Sequence, residues 1–247
     1  MTPELLQLLN SSRIAKRLFA RFSRCLVRGI FFLVCRTKII YFGDLPTDTG
    51  YILASNHISH FDPPLLGSRF RRYVDWMAME ELFRDRVSAL LMEWLLAFKV
   101  RRDGTDRTGI RTAVKRLEAG RVVGVFPEGG IRAGKGSVLE GAEMWPGASA
   151  LAVLSGKPIV PAVIIGSDRL YDKRNWFRIR HVPVWLGFGE KISPRIDLPK
   201  RVARELVQKS LSQAFVSLKE RMASEFGLAA TDLPATPQAR KREDYLP

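Results

Sequence analysis

Short apolar runs alternate with longer stretches in which apolar residues recur every three or four positions. Runs rich in β-branched and aromatic residues predict strands near 50–55, 73–78, 97–102, 121–126, 158–165 and 183–188. Between several of them the spacing is helical. Glu80 to Ala97 and Arg107 to Ala119 are two such stretches, the second stopped by Gly120. Gly141 to Leu154, closed by Ser155-Gly156, is a third, and Arg201 to Phe226, closed by Gly227, is the last. Strands alternating with helices predict an α/β, layered sheet-and-helix domain.

Ahead of that domain the pattern changes. At about 100° per residue, Arg13, Arg17, Arg21, Arg24 and Arg28 share one side of a helix. Ile14, Leu18, Phe19, Phe22, Cys25 and Leu26 occupy a broader neighbouring arc. This is a basic amphipathic helix of the kind that lies in an anionic interface. The run Gly29 to Cys35 continues its apolar character but is bracketed by Arg28 and Arg36, whereas a spanning helix needs about 20 apolar residues. The expectation is a segment that lies on a membrane, not one that crosses it. Three regions follow: an amphipathic helical membrane-association region over 1–40, a domain over 41–227, and a polar, disordered tail over 228–247.

Charge sharpens this picture. Forty Lys and Arg against 25 Asp and Glu give a net charge of +15, so the protein needs an anionic partner. Residues 1–40 hold eight of the basic residues and a single acid, Glu4, which favours an anionic membrane surface over nucleic acid. No helix-turn-helix, RNA-binding or zinc-finger pattern is present, so no nucleic acid is expected. The two cysteines, Cys25 and Cys35, form neither a disulfide framework nor a metal cluster, and three scattered histidines have no metal-ligand spacing. No metal and no cofactor are expected.

Two loops carry candidate chemistry. Asn56-His57-Ile58-Ser59-His60-Phe61-Asp62 follows the apolar run Tyr51 to Ala54, so a strand ends by delivering a histidine and a carboxylate to one loop. Histidine titrates nearest neutrality, and a neighbouring carboxylate can fix its tautomer and stabilise the imidazolium. Pro63-Pro64 is expected to stop that segment. Phe126-Pro127-Glu128-Gly129-Gly130 repeats the design after a second strand, with glycines that permit close approach of a ligand. Between them, Phe98 to Arg102 reads as a strand ending in arginines, whose planar fork suits phosphate. Ser59 offers an alternative nucleophile, but the G-x-S-x-G elbow is absent.

Taken in order, these segments resemble the glycerolipid acyltransferases of the 1-acylglycerol-3-phosphate acyltransferase type. The matching blocks are N-H-x-x-x-x-D at Asn56 to Asp62, a strand-terminal arginine at Arg102, F-P-E-G at Phe126 to Gly129, and an apolar segment around Pro161. Two positions depart from the family pattern: Gly130-Ile131-Arg132 stands where threonine and arginine are common, and Leu96 stands where a glycine is common. The resemblance implies His57 as base, Asp62 as its partner, and Arg102, Glu128, Gly129 and Arg132 on the acceptor side. It implies transfer of a fatty acyl group from acyl-CoA or acyl-carrier protein to the free hydroxyl of a lysophospholipid, such as 1-acylglycerol 3-phosphate, giving phosphatidic acid. The expected place of action is the cytoplasmic face of a membrane, with peripheral attachment. Glycerol 3-phosphate, another lysophospholipid or a lyso-aminolipid remain open as acceptors. A non-enzymatic basic protein that binds membrane or nucleic acid is the alternative of a different class.

Overall fold

In a computed structural model, residues 13–101 and 106–235 are described, with side chains from Leu18 onward except those of Glu93 and Trp94. Seven strands form one sheet. They are β1 (Cys35–Tyr41), β2 (Tyr51–Ser55), β3 (Val74–Met79), β4 (Phe98–Val100), β5 (Val122–Val125), β6 (Ile159–Ile165) and β7 (Val182–Phe188). Their order is β1-β7-β6-β2-β5-β3-β4, all pairs parallel except β6 with β7. The helices are α1 (Arg13–Val34), α2 (Asp62–Arg69), α3 (Arg86–Trp94), α4 (Arg107–Glu118), α5 (Gly147–Ser155) and α6 (Lys200–Phe226).

The central strands read as unbroken apolar runs because both faces of the sheet are covered. Alternate residues go to opposite layers. Ile52 and Ala54 of β2, Val123 and Val125 of β5, and Val163 and Ile165 of β6 pack with Leu117, Leu151, Leu211 and Phe215 from α4, α5 and α6. Tyr51 and Leu53, Val122, and Val160 and Ile164 pack on the other side with Phe31 of α1 and with Leu65 and Leu66 of α2. Full burial of a large apolar side chain contributes roughly 1.5–3 kcal/mol, against up to about 1 kcal/mol for an exposed ion pair. These two layers, not the surface charges, therefore hold the domain together.

Five expectations are corrected. The helical region does not run to residue 40. It ends at Val34, and Cys35–Tyr41 becomes an edge strand paired in parallel with β7, so Cys35 is a buried strand residue while Cys25 is exposed on α1. Pro63-Pro64 do not end a segment but open α2, where the missing N–H groups cost nothing. Glu80 to Ala97 divides into a 3-10 turn at Glu80–Phe83 and α3. Gly141 to Leu154 contributes a helix only from Gly147, preceded by 3-10 turns at Gly134–Gly136 and Val138–Glu140. At the C-terminus, the start of the expected disordered tail is a 3-10 turn at Ala230–Asp232, where Asp232 pairs with Arg169 at 3.0 Å; residues 236–247 lie outside the described set.

Leu96 explains one departure from the family pattern. Its φ is 62°, in the left-handed region that glycine occupies without penalty. The backbone shape expected of a glycine is kept, although an L side chain there costs about 1–2 kcal/mol.

Candidate active site

β2 and β5 are neighbours in the sheet, with Ala54 opposite Val125. Their C-terminal ends therefore bring the two chemical loops side by side. Asn56 fixes the first loop. Its side-chain amide donates to the carbonyl of Ile164 at 2.9 Å, and its oxygen accepts from the N–H of Ile164 at 2.8 Å. This two-way latch continues the β2–β6 ladder beyond the last strand residue and sets where His57 leaves the sheet.

His57 and Asp62 meet. Nδ1 of His57 lies 2.9 Å from Oδ2 of Asp62, and the carboxylate is fully buried while the imidazole side chain is 16% exposed. Asp62 reaches back because it is the first residue of α2, one turn beyond the loop. The same Oδ2 accepts the N–H groups of Ile58 at 2.7 Å and Ser59 at 2.8 Å, and Oδ1 accepts the hydroxyl of Ser167. A carboxylate held by so many donors is a fixed acceptor, so in the neutral ring the proton sits at Nδ1 and Nε2 carries the lone pair. The ring's plane is set by stacking on Phe126 at 4.2 Å and 25°, and Phe126 stacks on Trp76 at 5.0 Å and 10°. Behind Trp76, an apolar cleft of about 70 Å³ opens between α1 and α2, lined by Ala20, Val27, Pro64, Leu95 and Leu96 among others.

Glu128 is only 1% exposed. Oε2 accepts the N–H of His57 at 2.5 Å, and Oε1 accepts the Ser137 hydroxyl at 2.8 Å and the Val138 N–H at 2.9 Å. Burial pushes its carboxyl above the usual glutamate range, against these three hydrogen bonds, which pull the other way. Both oxygens are thus committed to tying the His57 loop to the 137–138 turn. Gly129 is a position where glycine is required twice over: φ is 66°, and a Cβ would come within 2.8 Å of the Trp145 ring. Arg132 is exposed, and its N–H donates to the carbonyl of His57 at 2.8 Å, so its side chain starts beside the base. Arg102 lies outside the described residues. Ser59 is fully buried and its hydroxyl oxygen accepts from the Phe61 N–H at 3.0 Å, which leaves it a poor nucleophile. His60 is exposed, its N–H donating to the Tyr171 hydroxyl at 3.1 Å.

Ser137 and Ser167 escaped the sequence reading. Ser167 follows Gly166, whose φ of 94° turns the chain at the end of β6. The one available signal was a glycine-serine pair closing an apolar strand, too common a pattern to single out.

Comparison with known proteins shows the family of the chain. The model of the Acyltransferase family matches residues 38–165. Over 180 residues the chain is 31% identical to the 1-acyl-sn-glycerol-3-phosphate acyltransferase of Bacillus subtilis (strain 168), covering 72% of this chain and 86% of that one. The chain belongs to the Acyltransferase family. Its fold also matches the crystal structure of the 1-acyl-sn-glycerophosphate (LPA) acyltransferase PlsC from Thermotoga maritima, with a TM-score of 0.58 at 23% identity, over 87% of this chain and 86% of that one. The family span contains His57, Asp62 and Glu128 but stops two residues before Ser167, and it excludes α1.

Proposed function

We propose that this acyltransferase moves a fatty acyl group from acyl-CoA or acyl-carrier protein to the free hydroxyl of 1-acylglycerol 3-phosphate, giving phosphatidic acid, at an anionic membrane surface. The observation that carries the reading is the His57–Asp62 pair, with Nδ1 tied to a buried carboxylate. Nε2 takes the proton from the acceptor hydroxyl as its oxygen attacks the thioester carbonyl. The tetrahedral intermediate collapses by breaking the carbon–sulfur bond, and the imidazolium returns its proton to the departing thiolate. Asp62 holds the tautomer and balances the transient charge. The acceptor hydroxyl is itself the nucleophile, so no serine or cysteine is required. The relative in B. subtilis carries this acceptor in its name, and the basic loop side chains Arg132 and Lys135, both exposed, suit an acceptor phosphate.

The test is an acceptor series with purified protein: 1-acylglycerol 3-phosphate, glycerol 3-phosphate, a zwitterionic lysophospholipid and a lyso-aminolipid, each with both thioester donors. The reading expects the first acceptor to be used best. Arg102→Ala should raise KM for the phosphate-bearing acceptor more than for the donor. A change confined to donor KM would move Arg102 to the CoA or carrier-protein side.

Peripheral attachment to a membrane is supported by α1. Leu18, Phe22, Leu26, Ile30 and Leu33 are all exposed and fall within an arc of about 120°. Phe31 and Val34 on the opposite side pack into the domain. No helix among the described residues is long and apolar enough to cross a membrane. The arginine stripe divides in role. Arg21 and Arg28 are exposed along the flank, whereas Arg24 donates to the Phe70 carbonyl and covers the Tyr73 ring at 4.8 Å. The side chains of Arg13 and Arg17 lie outside the described set. Because Arg24 braces the helix, the clean variant is Arg21→Gln, Arg28→Gln and Arg36→Gln together. At about 1 kcal/mol per basic residue, binding to anionic vesicles should weaken by roughly two orders of magnitude at low salt. Wild-type binding should fall with added salt. Co-sedimentation at two ionic strengths checks both; equal binding of the variant and wild type would leave α1 as a helix that merely packs on the domain.

A further inference from the structure

Beside α1 lies a second apolar and basic element that the catalytic site does not use. A 3-10 turn at Lys173–Phe177 runs into Arg178, which is extended at φ −112° and ψ 122°. Phe177 and Ile179 flank that extended residue and so project to the same side of the chain. They are the two most exposed large apolar side chains among the described residues, at 88% and 79%. The stretch 172–180 also holds Lys173, Arg174, Arg178 and Arg180, all exposed, and within that stretch a single acid, Asp172, paired with Arg174 at 2.8 Å.

The turn is not loose. Trp176 donates its indole N–H to the Leu170 carbonyl at 2.8 Å, and its ring packs between Phe31 of α1 at 6.2 Å and Phe61 at 5.3 Å. The Arg180 N–H donates to the Leu33 carbonyl at 2.6 Å, and its guanidinium covers the Phe32 ring at 4.9 Å. Arg180 has a φ of 51°, so the chain turns there in the left-handed region while docked on the end of α1. Phe32 and Leu33 are themselves exposed. Phe177 and Ile179 are therefore carried on a separate stretch of chain that is docked on the C-terminal end of α1. The base of that stretch touches the residue immediately before Asp62.

We propose that Phe177 and Ile179 form a second membrane anchor, inserted into an anionic lipid surface while Lys173, Arg178 and Arg180 meet the headgroups. An extended pair of exposed apolar side chains on a stretch rich in exposed cations matches such a surface in both polarity and charge. Two anchors on different elements fix the tilt of the domain on the bilayer, which one helix lying in the plane does not. Through Trp176 and Phe61 they set the height of the His57–Asp62 loop above the lipid. This rests on the membrane reading of α1, and the test separates the two.

In full-length protein carrying Cys25→Ser, which removes the exposed native thiol, a single environment-sensitive label is attached at Phe177→Cys or, in a second protein, at Leu26→Cys on α1. Each is mixed with vesicles of phosphatidylcholine alone or with half phosphatidylglycerol. Both labels should shift to the blue and be quenched by lipid-borne nitroxides on the anionic vesicles. In unlabelled protein, Phe177→Ser with Ile179→Ser should weaken anionic-vesicle binding by at least about 10-fold. If the label at 26 enters lipid and the label at 177 stays aqueous, the second anchor is wrong and the membrane reading of α1 stands. If neither enters, both fall. A shift at 177 produced by acidic acyl-carrier protein without lipid also overturns the proposal, because the patch then docks the donor.

Discussion

His57→Ala should lower kcat/KM by about 10²–10⁴-fold while leaving the protein folded, because general base catalysis contributes on that scale and the side chain is partly exposed. Its thermal midpoint should move little. Asp62→Asn should lose activity on a similar scale and lose stability as well. The wild-type carboxylate serves four donors: the His57 ring, two loop N–H groups and the Ser167 hydroxyl. An asparagine keeps one acceptor oxygen and turns an amide N–H₂ toward the remaining donors, each left unpaired at about 1–3 kcal/mol when buried. The diagnostic is the contrast between the two variants. Turnover in a folded His57→Ala protein at near wild-type rates would remove the histidine from the mechanism. Asp62→Asn with an unchanged thermal midpoint would mean that the loop does not depend on the carboxylate.

The contrast also shows where sequence reasoning has purchase. β2, β5, β6 and β7 were legible because strands covered on both faces must be apolar throughout, and that constraint is written in consecutive residues. β1 was not. Cys35 to Tyr41 continues the apolar tone of the helix before it with no glycine or proline between, and pairing with β7 on one edge leaves its exposure mixed. Pro63-Pro64 carried the opposite of the meaning assigned to them, since proline is a breaker inside a helix and a good opening residue. His57 and Asp62 were found because both ends of their hydrogen bond lie in one loop. Ser167 was not, because 105 residues separate it from Asp62 and only the sheet brings them together. The left-handed φ of Leu96 had one signal, a leucine where glycine is common in the family pattern; its apolar periodicity alone shows only an ordinary helix residue.

Glu128 shows the same limit at the centre of the site, and its replacement separates two roles. A strand-end glutamate in the F-P-E-G block reads as a contact to the acceptor's glycerol. Its geometry favours a positioning residue: both oxygens are taken by the His57 N–H, the Ser137 hydroxyl and the Val138 N–H. Glu128→Gln keeps the volume but leaves one amide N–H₂ facing a donor, either the His57 N–H or the 137–138 pair. The loop that carries the base must then shift, and misplacement by about 1 Å is enough to cost on the order of 10²-fold. The loss should fall on kcat, equally for every acceptor, with acceptor KM nearly unchanged. A rise confined to acceptor KM would instead place the carboxylate against the glycerol. Stability supplies a second readout. Burial raises the folded-state pKa of Glu128 above its unfolded value near 4.5, so the neutral form favours the folded state. That contribution is present below the unfolded value and is lost as pH rises through the raised one. Glutamine does not titrate. The stability of wild type relative to Glu128→Gln should therefore decline as pH climbs from about 4.5, as thermal denaturation across that range would show. A difference that stayed flat with pH would mean that the three hydrogen bonds offset the burial of the charge.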